Sequence, residues 1–424
     1  IVKSQELQKE IKNLKEKLLN KKKMSWEDKN KMKELLSEQK KLQNKVSEMN
    51  EKLKENIQKQ SEFKEINPEI SKKQKQLQKL FNDVLDEEMK KLIEKYEKMI
   101  EELNKENTLE QTEEIQVTDE ELEKELDRML EILKKLEFDQ KLQETQEKLE
   151  KLANKQEELA NDENKTTEEK KEEQEKLNEE FNKLKEDLKE LEKLDEELGD
   201  QVDMEELQED GEETSEEMED AIEELSKRQN KKASETQKAA AKKMKEMVKK
   251  MAAMAMSLQE ESLGEDMQSL RQLLENLVSL SFEEERLLQE FKLTNINTPK
   301  YVSLIQDQHK VSEDSELVED SLFALAKRVI EIESFITDKI FEINRNLDAS
   351  INQLEARSVR KALVNQQYVM TGYNDLALML SEVLQQMQQQ MAMQMEGNQS
   401  CEKPGKGKPK SGKMTSLKKM QQQL

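Results

Sequence analysis

The chain has 424 residues, 40% of them charged, 33% hydrophobic and 3% aromatic. That is too little apolar material for one thick globular core, and it restricts burial to narrow stripes along helices. The net charge of −24 is uneven, with about −31 over residues 101–230, about +7 over 1–100 and about zero over 231–424; the acidic middle repels phosphate backbones and anionic lipid, which argues against a nucleic-acid partner.

In chain order, residues 1–66 read as coiled-coil helices. Leu7, Ile11, Leu14 and Leu18 form one stripe, and Leu42, Val46, Met49, Leu53 and Ile57 another, with the three-and-four spacing of a seam. Between them Ser25, with Asp28 three residues on, is placed to cap a helix, so a kink or turn is expected near residues 21–27. Residues 67–198 read as antiparallel coiled-coil hairpins. Asn67-Pro68 opens a helix, because Asn caps and Pro suits the first helical position. Its stripe runs through Leu77, Phe81, Leu85, Met89, Leu92, Tyr96, Met99 and Leu103. Residues 104–118 read as a turn closed by a Thr118–Glu121 capping box, after which Leu122, Leu126, Met129, Leu133 and Leu136 resume the stripe. A second break is expected at residues 161–167, with a Thr166–Glu169 box, and Leu177 to Leu191 complete a segment ending near Leu198-Gly199. Helices joined by such short turns fold back on each other, although a parallel homodimer is also compatible with the stripe.

Residues 199–220 read as an acidic flexible hinge. Residues 221–396 read as a helical bundle with Met-rich helices: a helix from about 217 to 262, a Leu-rich stretch over 265–293, a helix started by Thr298-Pro299, an apolar band over 317–347 and a closing helix from about 348 to 396. Residues 397–413 are expected to form a Gly/Pro/Lys loop and residues 414–424 the start of a further helix. The expected fold is all-α, long antiparallel coiled-coil hairpins followed by a multi-helix bundle.

Met244, Met247, Met251 and Met254 repeat at three and four residues, flanked by Lys242, Lys243, Lys245, Lys249 and Lys250. Thioethers at that spacing suit Cu(I), a basic amphipathic face suits a membrane surface or an acidic partner, and adaptable side chains suit a packed bundle face. With no His or Cys nearby to strengthen a ligand set, packing or partner docking is preferred to metal. Met387, Met391 and Met395 form a similar stripe; both sets are candidate partner-docking residues. His309 reads as a surface histidine and Cys401 as an incidental thiol in a loop that matches no zinc or haem spacing. No phosphate-cradling glycine loop is present, and no run of about 18 apolar residues is long enough to span a bilayer. Neither a catalytic constellation nor a cofactor is expected.

The stretch from Tyr373 to Leu424, with its ALMLSE, Met/Gln and GNQSC segments and LKKMQQQL, resembles a family of very large Bacteroidota envelope proteins, as do VRKALVNQQYVMTGYNDLALML and KAAAKKMKEMVKKM. The likeness is most specific over residues 235–424. It implies an internal helical piece of a longer, membrane-anchored protein lying in the periplasm, and it carries over no catalytic residue. Ile1 within a helical pattern and the helix-like final segment fit such a piece. The expected function is a non-enzymatic scaffold or tether with protein partners in an envelope complex. A holdase-like or protein-secretion accessory gripping exported chains is the alternative.

Overall fold

Helices account for every regular element among the described residues of the computed structural model, which are 9–13, 25–63, 68–83, 89–102, 105–199, 202 and 204–398. Residues 9–13 are helical, and after them come α1 (Trp26–Phe63), α2 (Pro68–Asp83), α3 (Met89–Glu102), α4 (Lys105–Asn161), α5 (Thr167–Leu198), α6 (Glu205–Ser226), α7 (Asn230–Leu293), α8 (Pro299–Ala326), α9 (Ser334–Glu355) and α10 (Val359–Asn398). The all-α class follows from the composition: Lys, Glu, Leu and Gln favour helix, and few Gly or Pro residues interrupt it.

Local signals set several ends as expected. Asp28 accepts hydrogen bonds from the Ser25 backbone N–H at 2.9 Å and hydroxyl at 2.6 Å, and Ser25 Oγ accepts from the Asp28 N–H at 3.2 Å. Pro68 is the first residue of α2. Thr166 and Glu169 form a reciprocal capping box at the start of α5, and Gly199 ends that helix at φ 96°, a left-handed conformation that a β-carbon would strain.

The helices surround three hydrophobic cores. α1, α2, α3 and the first half of α4 enclose the N-terminal core, which includes Leu35, Leu77, Leu92, Tyr96 and Leu122. The second half of α4, with α5, α6 and the first half of α7, forms a proximal bundle around Leu152, Phe181, Leu188, Leu207 and Met247. The second half of α7, with α8, α9 and α10, forms a distal bundle around Leu277, Phe291, Leu322, Ile340 and Tyr373. The 64 residues of α7 run through both bundles, a contour of about 96 Å at 1.5 Å per residue.

Several expectations are corrected. Residues 105–118 are helix, not turn: Ile115, Thr118, Leu122 and Leu126 continue one buried face, and Thr118 lies within α4, its hydroxyl accepting from Lys95 Nζ at 2.8 Å. Residues 205–220 are not a flexible hinge but most of α6. Its seam is Leu207, Gly211, Thr214, Met218, Ala221 and Leu225, perfectly spaced but partly polar or small, and so silent in an apolar pattern. The apolar band over 317–347 is cut by a loop at residues 327–333, and the closing helix breaks at 356–358. α7 is continuous across the boundary expected near residue 262. In α1 the seam also slips by one residue: Met49 is exposed, and Asn50 is buried with its Nδ2 donating to Asn82 Oδ1 at 2.8 Å.

Candidate functional site

The most constrained polar site lies where the N-terminal core meets the distal bundle. It grows from Glu125 and Arg128, three residues apart on the buried face of α4 and so on the same side of that helix. Arg128 is 1% exposed and Glu125 fully buried. The guanidinium donates from Nε to the Ala326 carbonyl at 3.2 Å, from Nη2 to the Ile332 carbonyl and from Nη1 to Glu125 at 3.2 Å. Ala326 ends α8, so Arg128 satisfies a carbonyl that the helix itself leaves open and places positive charge at the negative end of its dipole. Glu125 accepts from the Thr337 hydroxyl in the first turn of α9, where a carboxylate is favoured by the opposite dipole end. Burial pushes the Glu125 carboxyl up and the Arg128 guanidinium down, and their contact opposes both shifts.

Around this pair the 327–333 loop is fastened on several sides. Lys327 pairs with Asp127 on α4 and Arg328 with Asp266 on α7 at 2.9 Å. Glu331 accepts from Lys72 on α2 at 3.0 Å and from Gln390 on α10 at 3.0 Å, and Glu333 pairs with Lys79. Ile330 rests on the N-terminal core. The void beside Arg128 is about 20 Å³, space for a water and not for a substrate. The arrangement is a clasp: a buried ion pair that fixes the α8–α9 turn against α4.

The methionines lie elsewhere. Met244, Met247 and Met251 are fully buried in the proximal core, and Met254 packs half-buried against it. They are core side chains in this fold, and a partner cannot reach the three buried ones. Met247 explains the choice of residue: it sits over Gly211, whose added β-carbon would be 3.8 Å from the Met247 methyl, and its sulfur is 3.9 Å from the Thr214 hydroxyl. Two of the lysines flanking this stripe meet the chain's own acidic helix, while Lys245 pairs with Glu157 on α4. Lys243 pairs with Glu213 at 2.7 Å and Glu217 at 3.1 Å, and Lys250 with Glu206 at 2.7 Å and Asp210 at 2.6 Å, all on α6. The basic face thus has an acidic partner within the same molecule. Met387 is buried and Met391 half-buried in the distal bundle, and the Met395 side chain lies outside the described ones. His309 is exposed, its Nε2 3.1 Å from Glu355 Oε1, and Cys401 lies outside the described residues.

Each bundle also buries a polar layer that hydrophobic patterning overlooks. In the proximal bundle Gln156 and Gln174 exchange hydrogen bonds at 2.7 and 3.1 Å, and Gln237 donates to Gln174 at 2.8 Å. In the distal bundle Gln308 donates to Glu284 at 2.7 Å and Gln366 to Gln308 at 2.6 Å. No group of acidic, His or Cys side chains suited to a metal occurs among the described residues, and no described helix is long and apolar enough to cross a membrane. An open groove of about 550 Å³ between α5 and α6 is lined by Lys185, Lys189, Glu205, Glu209 and neighbours of mixed charge. Comparison with known protein families, with curated proteins and with solved structures finds no match.

Proposed function

We propose that the chain is a non-enzymatic scaffold or tether of the bacterial cell envelope, holding protein partners at a fixed separation. The observation that carries this reading is α7, a single helix of about 96 Å contour shared by two bundles and fastened to the 327–333 loop by the Arg328–Asp266 pair. A continuous helix clad on both halves resists bending better than hairpins linked by a hinge. The periplasmic setting, and an attachment to the inner membrane through a part outside this sequence, rest on the resemblance over residues 235–424.

Docking is assigned to the distal bundle and not to the methionines. Phe282, Tyr368 and Leu378 are each more than half exposed, and Val278 and Val364 accompany them on α7 and α10. The holdase alternative needs a Met-lined face open to a client chain, and burial of Met244, Met247 and Met251 withholds it.

Crosslinking with mass spectrometry in intact cells tests the scaffold. The expected result is crosslinks from the distal bundle to one or a few envelope proteins, lost in Phe282→Ser/Leu378→Ser while thermal unfolding of the purified variant is unchanged. Suppression of aggregation of a denatured outer-membrane protein at near-equal stoichiometry, without such crosslinks, would replace the scaffold with the accessory.

A further inference from the structure

We propose that the outer face of α10 is a seam for a second copy of this chain, the two α10 helices lying antiparallel with Thr371 of each at the two-fold axis. The proposal rests on the reading of the distal bundle as the docking end, and it names one of the proteins docked there.

α10 carries two faces where an outer helix ordinarily carries one. Its inner face, with Ala362, Val369, Tyr373, Leu376 and Leu380, is buried in the distal core. On the opposite side Val364, Thr371 and Leu378 recur every seven residues, with Gln367, Asn374 and Ser381 between them, and all six are exposed. That is the spacing of a coiled-coil seam, turned to solvent. The chemistry of this face also departs from the rest of the chain. In a sequence that is 40% charged, residues 362–395 include only two charged side chains, Asp375 and Glu382. The outer positions of α5 show the ordinary case, with Glu172, Glu175, Glu179, Lys183 and Glu186 exposed in succession. A helix face that stays in water keeps its charges, and one that meets protein sheds them. On α7, Ser281 donates to Asn374 at 3.0 Å, and the exposed Val278 and Phe282 border the same face.

The two ends of the seam select the occupant. At about 100° per residue, Arg360, Val364, Thr371, Leu378 and Glu382 fall within about 20° of one line along the helix. That line is symmetric about Thr371: Val364 and Leu378 lie seven residues to either side, and Arg360 and Glu382 eleven. Two antiparallel copies therefore set Val364 against Leu378 twice and Arg360 against Glu382 twice, the two ion pairs being about 33 Å apart. Two parallel copies in register would set each charge against itself. Arg360 and Glu382 are both exposed and form no ion pair within the chain among the described residues, so each is open to pairing across the axis. The apolar contacts supply attraction, and the charges fix direction and register.

Sedimentation velocity of the whole chain over a range of concentrations tests the seam. Wild type is expected to pass from monomer to dimer. R360E or E382R alone turns two symmetry-related attractions into repulsions and is expected to weaken the dimer about tenfold, whereas the double variant R360E/E382R exchanges the charges and restores it. Both sites are exposed, and unchanged thermal unfolding shows that each monomer is intact. A chain that is monomeric at every concentration, a dimer indifferent to the single reversals, or a double variant no better than either single one overturns the proposal. Crosslinking in cells separates that failure from failure of the docking end itself. If the second copy is wrong but the docking end is right, Phe282→Ser/Leu378→Ser still loses crosslinks to other proteins; if those crosslinks persist as well, the docking end falls with the seam.

Discussion

The proximal and distal bundles share one helix, and each buries a three-residue polar layer, yet they spend their side chains differently. The proximal bundle fills its core with Leu, Met and Ala and staples nearly every helix interface with lysine–carboxylate pairs. Among these are Lys141 to Asp187 at 2.6 Å, Lys155 to Glu180 at 2.7 Å and Lys185 to Glu212 at 2.6 Å. The distal bundle is held by larger, stiffer groups, including the edge-on Phe291–Tyr301 pair at 5.6 Å and the stacked Phe323–Phe341 pair at 5.3 Å, and it leaves Phe282, Tyr368 and Leu378 to solvent. The contrast teaches that one helical architecture serves two ends. Surface ion pairs each contribute little and mainly specify which faces meet, so the proximal half is set by pairing at its surface. The distal half keeps apolar surface in reserve.

The largest effect that would test this contrast is at the clasp. Arg128→Met leaves Glu125 buried without its cation and uncaps α8, which is expected to cost about 3–5 kcal/mol. Hydrogen exchange locates the loss: α8 and α9 should lose protection while α5 and α6 keep theirs. Equal loss in both bundles would mean that they open as one unit, and the division drawn here would fail.

The clasp is not legible in the sequence. Leucine spacing and the Ser25, Pro68, Thr166 and Gly199 signals made the helical class and several ends legible, because those choices are local. The α8–α9 loop was hidden inside a continuous apolar band, since Val329 and Ile332 are buried as loop residues and not as helix. Arg128 looked like one charge among many, and its burial depends on carbonyls about two hundred residues away in sequence. The turns after α6 and α9 were missed for a different reason. Both helices end with a left-handed residue, but that residue is Arg228 or Arg357, at φ 55° and 58°, where glycine is the usual signal. The methionine spacing marks one face of a helix, but periodicity alone cannot say whether that face meets a partner or the chain's own α5 and α6.

A paired substitution sharpens the contrast at the level of packing. At Gly372 on α10, an added β-carbon would lie 2.6 Å from Ile343 Cγ1, a branched and poorly yielding neighbour on α9. Gly372→Ala is expected to lose about 1–3 kcal/mol to overpacking, partly offset by about 1 kcal/mol of helix propensity. At Gly211 on α6 the same carbon meets only Met247 and Leu188 at 3.8 and 3.9 Å, an ordinary contact. Gly211→Ala is expected to be neutral or to stabilise by up to about 1 kcal/mol. Denaturation midpoints of the two variants check this directly. If both are destabilised alike, the methionine core is no more adaptable than the aromatic one.

The smallest expected effect compares the two arginine-ended turns. Each has the paired backbone bonds of a helix terminus: Gln229 N–H to the Glu224 carbonyl at 2.8 Å and Arg228 N–H to that of Leu225 at 2.9 Å, matched by Ser358 to Gln353 at 2.7 Å and Arg357 to Leu354 at 2.9 Å. A side chain at positive φ costs about 1 kcal/mol that glycine avoids, less the entropy that glycine adds to the unfolded chain. Arg357 recovers part of that cost through its Nη1 bond to Asn297 at 3.2 Å, a link between the α9–α10 turn and the α7–α8 turn. Arg228→Gly is therefore expected to raise the melting temperature of the chain slightly, and Arg357→Gly to raise it less or not at all. A larger gain from Arg357→Gly would show that the Asn297 contact contributes nothing, leaving the two turns equivalent despite the different bundles they close.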